Sequence, residues 1–158
     1  GDGATANHVF DRFMDHATGL GMTTGDSGRV YFSLCGDFEP EELTEFLGLE
    51  PSRAARKGER DSERVVPRCS IWAFGDEMVK GKRFDVFELS KQLSITLSFH
   101  QNRIAEAVKK WDLAATLQVV SYFSGDDQVS TPAIGFESEV IDFLSSVGGS
   151  IDVDTYLE

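Results

Sequence analysis

The stretch LAATLQVVSYF, residues 113–123, constrains the fold most. Leu117, Val119 and Phe123 share one face of an extended chain, and the run is rich in β-branched and aromatic residues. This is the clearest strand in the chain, and its apolar face needs a packed layer to bury it. RVYFSLCG, before it, alternates in the same way, with Val30, Phe32 and Leu34 against Tyr31, Ser33 and Cys35. VVPRCSIWAF is another strand, with Pro67 pointing to an edge or a bulge near its start. TPAIGFE reads as a short strand after the turn GDDQ, and SIDVDTYL as a closing strand with Ile151, Val153 and Thr155 on one side.

Between these runs the apolar spacing switches to that of helices. EPEELTEFLG buries Leu43, Phe46 and Leu47; Pro40 suits its first turn and Gly48 its left-handed stop. FDVFELSKQLSITL carries Val86, Leu89, Leu93 and Leu97 on one stripe, and NRIAEAVKKW carries Ile104, Ala107, Val108 and Trp111. A bend is expected near Ser98 to Gln101. Ser138 is expected to cap EVIDFLSSVG. At the start, ANHVFDRFMDHATGLG places Val9, Phe10, Phe13, Met14 and Ala17 on one helical face, followed by the linker MTTGDSGR.

The order is therefore α, βαβ, αα, ββαβ. It predicts an α+β fold, a mostly antiparallel sheet with helices packed on one face, built from ferredoxin-like βαβ-type halves. The domain reading is a helix and linker over residues 1–28 and one α+β domain over 29–158.

Charge narrows the functional classes. The 158-residue chain holds 27 acidic and 15 basic residues, net −12. That argues against broad binding to nucleic acid or anionic membranes, which are polyanions. It suits an inhibitor or decoy of a basic partner. No run approaches the ~18 apolar residues of a membrane span, and the first residues lack the basic and apolar regions of a signal peptide. A cytoplasmic location is the resulting expectation.

The stretch YFSLCGDFEPEELTEFLGLEPSRAARKGE, followed by Trp72 and ending in IDVDTY, resembles a bacterial family catalogued as domain of unknown function 4279. Tyr31, Phe32, Gly36, Thr44, Leu47, Gly48, Pro51, Ser52, Lys57, Gly58 and Trp72 carry the resemblance, which covers roughly residues 29–158. The opening helix lies outside it. The family has no established activity, so the resemblance assigns no catalytic residue.

Against this acidity stands a basic island. Arg53, Arg56, Lys57, Arg60, Arg64 and Arg68 are followed by Lys80, Lys82 and Arg83. The window from 53 to 83 holds nine basic and five acidic residues, a local charge of +4. Arg53, Arg56 and Arg60 would share a face if the segment were helical, although Gly58 weakens a helix. Guanidinium forks grip carboxylate or phosphate. The ligand-binding set the sequence suggests is Arg53, Arg56, Lys57 and Arg60 with Trp72. The plainer alternatives are a solvated loop, Arg residues pairing with the protein's own acids, and a Trp72 that packs in the core.

Other signals carry less. GDSG, residues 25–28, resembles a serine-protease signature, but it falls in the linker, and a triad is defined by geometry. His8, Asp11 and Asp15 share a helix face, and Asp152 and Asp154 one side of a strand; both read as solvated polar faces rather than metal sites. Cys35 and Cys69 are expected to be free buried thiols. No nucleotide-binding loop appears, and no catalytic residue, metal or cofactor is assigned. The favoured function is a non-enzymatic interaction protein, such as an immunity-type inhibitor of a toxin. The alternative is a small anionic-ligand binder or enzyme using segment 53–68. Expected partners are another protein or a second copy through the opening helix.

Overall fold

The computed structural model describes residues 26–59 and 66–158. The opening helix, Arg60 and Arg64 lie outside the described residues. The elements run β1 (Ser27–Gly36), α1 (Pro40–Leu47), β2 (Arg53–Ala55), β3 (Ser70–Phe74), β4 (Val79–Lys80), a 3-10 turn (Gly81–Arg83), α2 (Val86–Ser98), α3 (Gln101–Lys110), β5 (Ala114–Phe123), α4 (Ser138–Val147) and β6 (Ser150–Leu157).

Five strands form the sheet in the order β2-β3-β1-β5-β6, and the two-residue β4 pairs with the start of β1. All pairs are antiparallel except β5 with β6. The part β1-α1-β2-β3-α2/α3-β5, with β5-β1-β3-β2 as neighbours, is the ferredoxin-like βαββαβ unit with two helices in its second crossover. The unit α4–β6 extends it by one parallel strand. This is the α+β fold expected from the alternation of the two periodicities.

One face of the sheet holds the main core. Val30, Phe32 and Leu34 of β1, Trp72 of β3, and Leu117 and Val119 of β5 meet Leu43 and Leu47 of α1, Val86, Leu93 and Leu97 of α2, Ile104 and Ala107 of α3, and Phe143 and Val147 of α4. All four described helices thus lie on that face. The Phe32 ring meets the Phe143 ring edge-on at 5.5 Å between centroids. Pro40 opens α1, and Gly48 closes it with φ +67°, a left-handed conformation that glycine adopts without a Cβ penalty. Asp85 caps α2 by accepting from the Glu88 backbone N–H.

Several local expectations are corrected. The 53–55 segment, which the sequence left without an assigned element, is a strand, because its residues pair with β3 from Ala73 to Ile71. That pairing makes β3 an interior strand, and Pro67 precedes its paired part. TPAIGFE forms no strand. The chain instead leads straight into the α4 crossover, so β5 takes β6 as its neighbour. Ser138 is the first residue of α4 rather than its cap, which is Glu137. Cys35 and Cys69 are joined in a disulfide rather than free. The β1–β3 register sets Cys35 opposite Ile71, with Cys69 just ahead of it, and their Cα atoms stand 6.2 Å apart, within bridging range.

Candidate functional site

The basic island does not gather around Trp72. Alternation along β2 sends neighbouring side chains to opposite faces. Ala54 pairs with Trp72, while Arg53 pairs with Ala73 on the face away from the helices. Trp72 is fully buried in the main core, and its Nε1 donates to Thr44 Oγ1 of α1 at 3.2 Å. Its ring stacks on Phe74 at 6.2 Å. Arg56 reaches back to the start of α1, with its Nε 2.6 Å from Glu39 Oε2 and its Nη2 3.0 Å from Glu41 Oε2. Lys57 Nζ is 3.6 Å from Asp37 Oδ2. These are pairings with the protein's own acidic surface. The hydrogen bond to Glu39 raises the Arg56 guanidinium above its usual range, with the Glu39 and Glu41 charges adding to it. The Glu41 carboxyl is lowered, first by its own backbone N–H at the helix start, against the opposing effect of desolvation, with the charge and hydrogen bond of Arg56 adding to the lowering.

Arg53 joins a different cluster. On the side of β1 away from the described helices, Asp76 lies between two guanidiniums: Arg29 Nη1 is 2.8 Å from its Oδ1 and Arg53 Nε 2.8 Å from its Oδ2. Both guanidinium carbons stand over the Tyr31 ring, at 5.4 Å and 5.2 Å from its centroid, within cation–π range. Ser52 holds Asp76 in place, because its Oγ accepts from the Asp76 backbone N–H while donating to Ala73 O. Further along the same face Gln118 Nε2 donates to Asp154 Oδ2 at 3.3 Å, and the rings of Tyr122 and Tyr156 stack at 5.2 Å. The face is polar and aromatic rather than aliphatic. Its signal in the sequence was the alternation Arg29, Tyr31, Ser33 opposite Val30, Phe32, Leu34. Asp76 gave none, because it is brought in from the turn after β3.

Two shallow grooves mark the helical side. One, of about 640 Å³, runs between α1 and β2, with Thr44, Gly48 and Pro51 in its wall and Glu41, Glu45 and Glu50 along it; Trp72 lies beneath rather than in it. The other, of about 310 Å³, lies between α2 and α4 over Ser94, Ser98 and Phe143.

The two ends of the sheet differ in charge. Arg53, Arg56 and Lys57 belong to the β2 end. At the other, residues 111–158 include Asp112, Asp126, Asp127, Glu137, Glu139, Asp142, Asp152, Asp154 and Glu158, and no Lys, Arg or His. Among the described strands β6 is the outermost there. Among the described residues no group of three His, Cys, Asp or Glu side chains is placed to hold a metal ion, and no described helix is long and apolar enough to cross a membrane.

These features define a class: a ferredoxin-like α+β domain with a helical layer on one sheet face, an Arg–Asp–Arg cluster on the other and one strongly acidic end. Within that class, the chain belongs to the family described as Domain of unknown function (DUF4279), which matches residues 26–158. No curated protein and no solved structure matches it.

Proposed function

We propose that the protein is a non-enzymatic interaction protein, and that it acts as an immunity-type inhibitor of a basic bacterial toxin. The observation that carries this reading is the one-signed charge of the β5–α4–β6 end: nine acids without a single base in 48 residues. A field of one sign speeds encounter with a partner of the other and disfavours partners of like charge. Arg56 and Lys57 of the basic island are paired with Glu39, Glu41 and Asp37, whereas the acids of the β5–α4–β6 end have no basic residue within their own segment. The test is native co-purification on the full chain across a salt series. A basic partner retained at low salt and released as salt rises is expected. Failure to retain any stable partner at any ionic strength refutes the reading.

A second reading, an anionic-ligand binder, is supported by the Arg29–Asp76–Arg53 arrangement over Tyr31. It keeps Arg53 from the sequence-derived set and adds Arg29. Arg56 and Lys57 enter only if a ligand displaces their carboxylates, and Arg60 is carried as a sequence-derived member. Trp72 has its indole turned to the other face. A thermal-shift screen against anionic metabolites checks it, since a ligand that binds only the folded state raises Tm. A hit lost in Arg53→Ala but kept in Arg56→Ala supports the sheet-face site. The absence of any hit refutes it.

A further inference from the structure

We propose that the sheet face opposite the four described helices is the docking surface of this chain's own residues 6–17, which pack across it as a helix. Tyr31 and Ser33 of β1, Ala73 of β3, and Thr116, Gln118 and Val120 of β5 share that face, as the strand registers show. Ser33, Ala73, Gln118 and Val120 are 0% exposed and Tyr31 is 1% exposed. The Arg29 and Arg53 guanidiniums stand over Tyr31, yet their own side chains are only 8% and 14% exposed. On an open sheet face such side chains keep their charged heads in water, so a further layer lies over them. This burial belongs to one chain by itself, and the described helices all pack on the other face. The cover therefore comes from this chain, outside its described residues.

Length and chemistry select the segment. Residues 60–65, RDSERV, hold one apolar side chain and are tied at both ends to the β2–β3 side of the sheet. Residues 6–17 place Val9, Phe10, Phe13, Met14 and Ala17 on one helical face. A helix of that length is ~18 Å long and ~10 Å across. The buried face spans β3, β1 and β5, two strand spacings or ~10 Å, and its β1 part from Arg29 to Cys35 runs ~20 Å. Residues 18–25 reach up to ~27 Å, enough to return the helix over the strand that starts at Ser27. The apolar centre of the face is Tyr31, Ala73 and Val120, with Tyr122 and Tyr156 packed against it. Phe10, Phe13 and Met14 suit such a surface, since aromatic rings and a thioether pack well on tyrosine rings. His8, Asp11, Arg12 and Asp15 then face water. A helix spent in this way has no apolar face left for a second copy, and an anionic ligand reaches the Arg29–Asp76–Arg53 cluster only by displacing it.

The test uses the full chain with the photo-cross-linker p-benzoylphenylalanine in place of Phe13. After irradiation the product is expected to keep the mass of one chain, and mass spectrometry of its digest should join residue 13 to β1, β3 or β5 residues of the far face. A product of twice that mass overturns the proposal in favour of a second copy. A cross-link to α1–α4, or none, overturns it outright. A second measurement reads stability in the full chain. Phe10→Ala with Phe13→Ala removes two rings from the buried side and should lower Tm by roughly 6 °C or more. Arg12→Ala, on the outer side of the same helix, should leave Tm within about 2 °C. Equal effects of the two substitutions overturn the proposal.

Discussion

Asp76→Asn probes the sheet-face cluster most directly. The carboxylate is 5% exposed and sits at 2.8 Å from each of two guanidiniums that are 8% and 14% exposed. At an effective dielectric near 20, unit charges ~4 Å apart attract by about 4 kcal/mol, so two pairs contribute about 8 kcal/mol before desolvation. Desolvation takes back several kcal/mol per ion. The amide keeps an oxygen acceptor but removes the charge that holds Arg29 and Arg53 side by side. Breaking a buried pair from one side costs about 3–5 kcal/mol. For a chain of this size that corresponds to a fall in Tm of roughly 6–20 °C. Urea unfolding followed by far-UV circular dichroism, with the slope m unchanged, reads the loss. A loss below about 1 kcal/mol would refute the argument, because the three charges would then be energetically independent. Adding Arg53→Met to Asp76→Asn should recover part of the stability by removing one of the two like charges.

Three further perturbations follow from the same geometry. Replacing Cys35 and Cys69 by Ser opens a closure of 34 residues and should cost about 3.8 kcal/mol on the chain-entropy estimate; thiol alkylation with mass spectrometry first establishes that the unreduced protein has no free thiol, and a cost near zero contradicts the closure argument. Thr44→Val leaves the buried Trp72 N–H without its acceptor and should cost about 1–3 kcal/mol, read by denaturant unfolding; a neutral effect would mean that the indole finds another acceptor. Because the folded Glu41 carboxyl is lowered, its contribution is present above the unfolded carboxylate value and is lost as pH falls through the folded one. Glu41→Gln should therefore flatten the fall of Tm on acidification and leave its pH dependence between neutrality and pH ~9 unchanged; a change confined to the alkaline side would contradict the sign.

Much of the architecture was legible because each element carries its own periodicity. Val30, Phe32 and Leu34 share a strand face, and Leu93 and Leu97 share a helix face, whatever else the chain does. Pro40 and Gly48 mark the ends of α1 by their fixed and permissive φ. Elements defined by pairing rather than by pattern were not legible. Arg53–Ala55 is too short to show an alternation and is a strand only because β3 lies beside it. TPAIGFE has the composition of a strand but no partner.

The candidate sites divide in the same way. The sequence by itself determined the acidity, the basic island, the apolar faces and the two-faced character of β1, since these follow from residue type and from periods of 2 and 3.6. Only the tertiary structure decided which residues meet. Register placed Arg53 and Trp72 on opposite faces of the sheet, tied Arg56 to Glu39 and Glu41, brought Asp76 between Arg29 and Arg53, and joined Cys35 to Cys69. Such contacts span 15 to 47 positions along the chain. Local chemistry does not encode them, because they are made by the burial of the whole sheet against its helices.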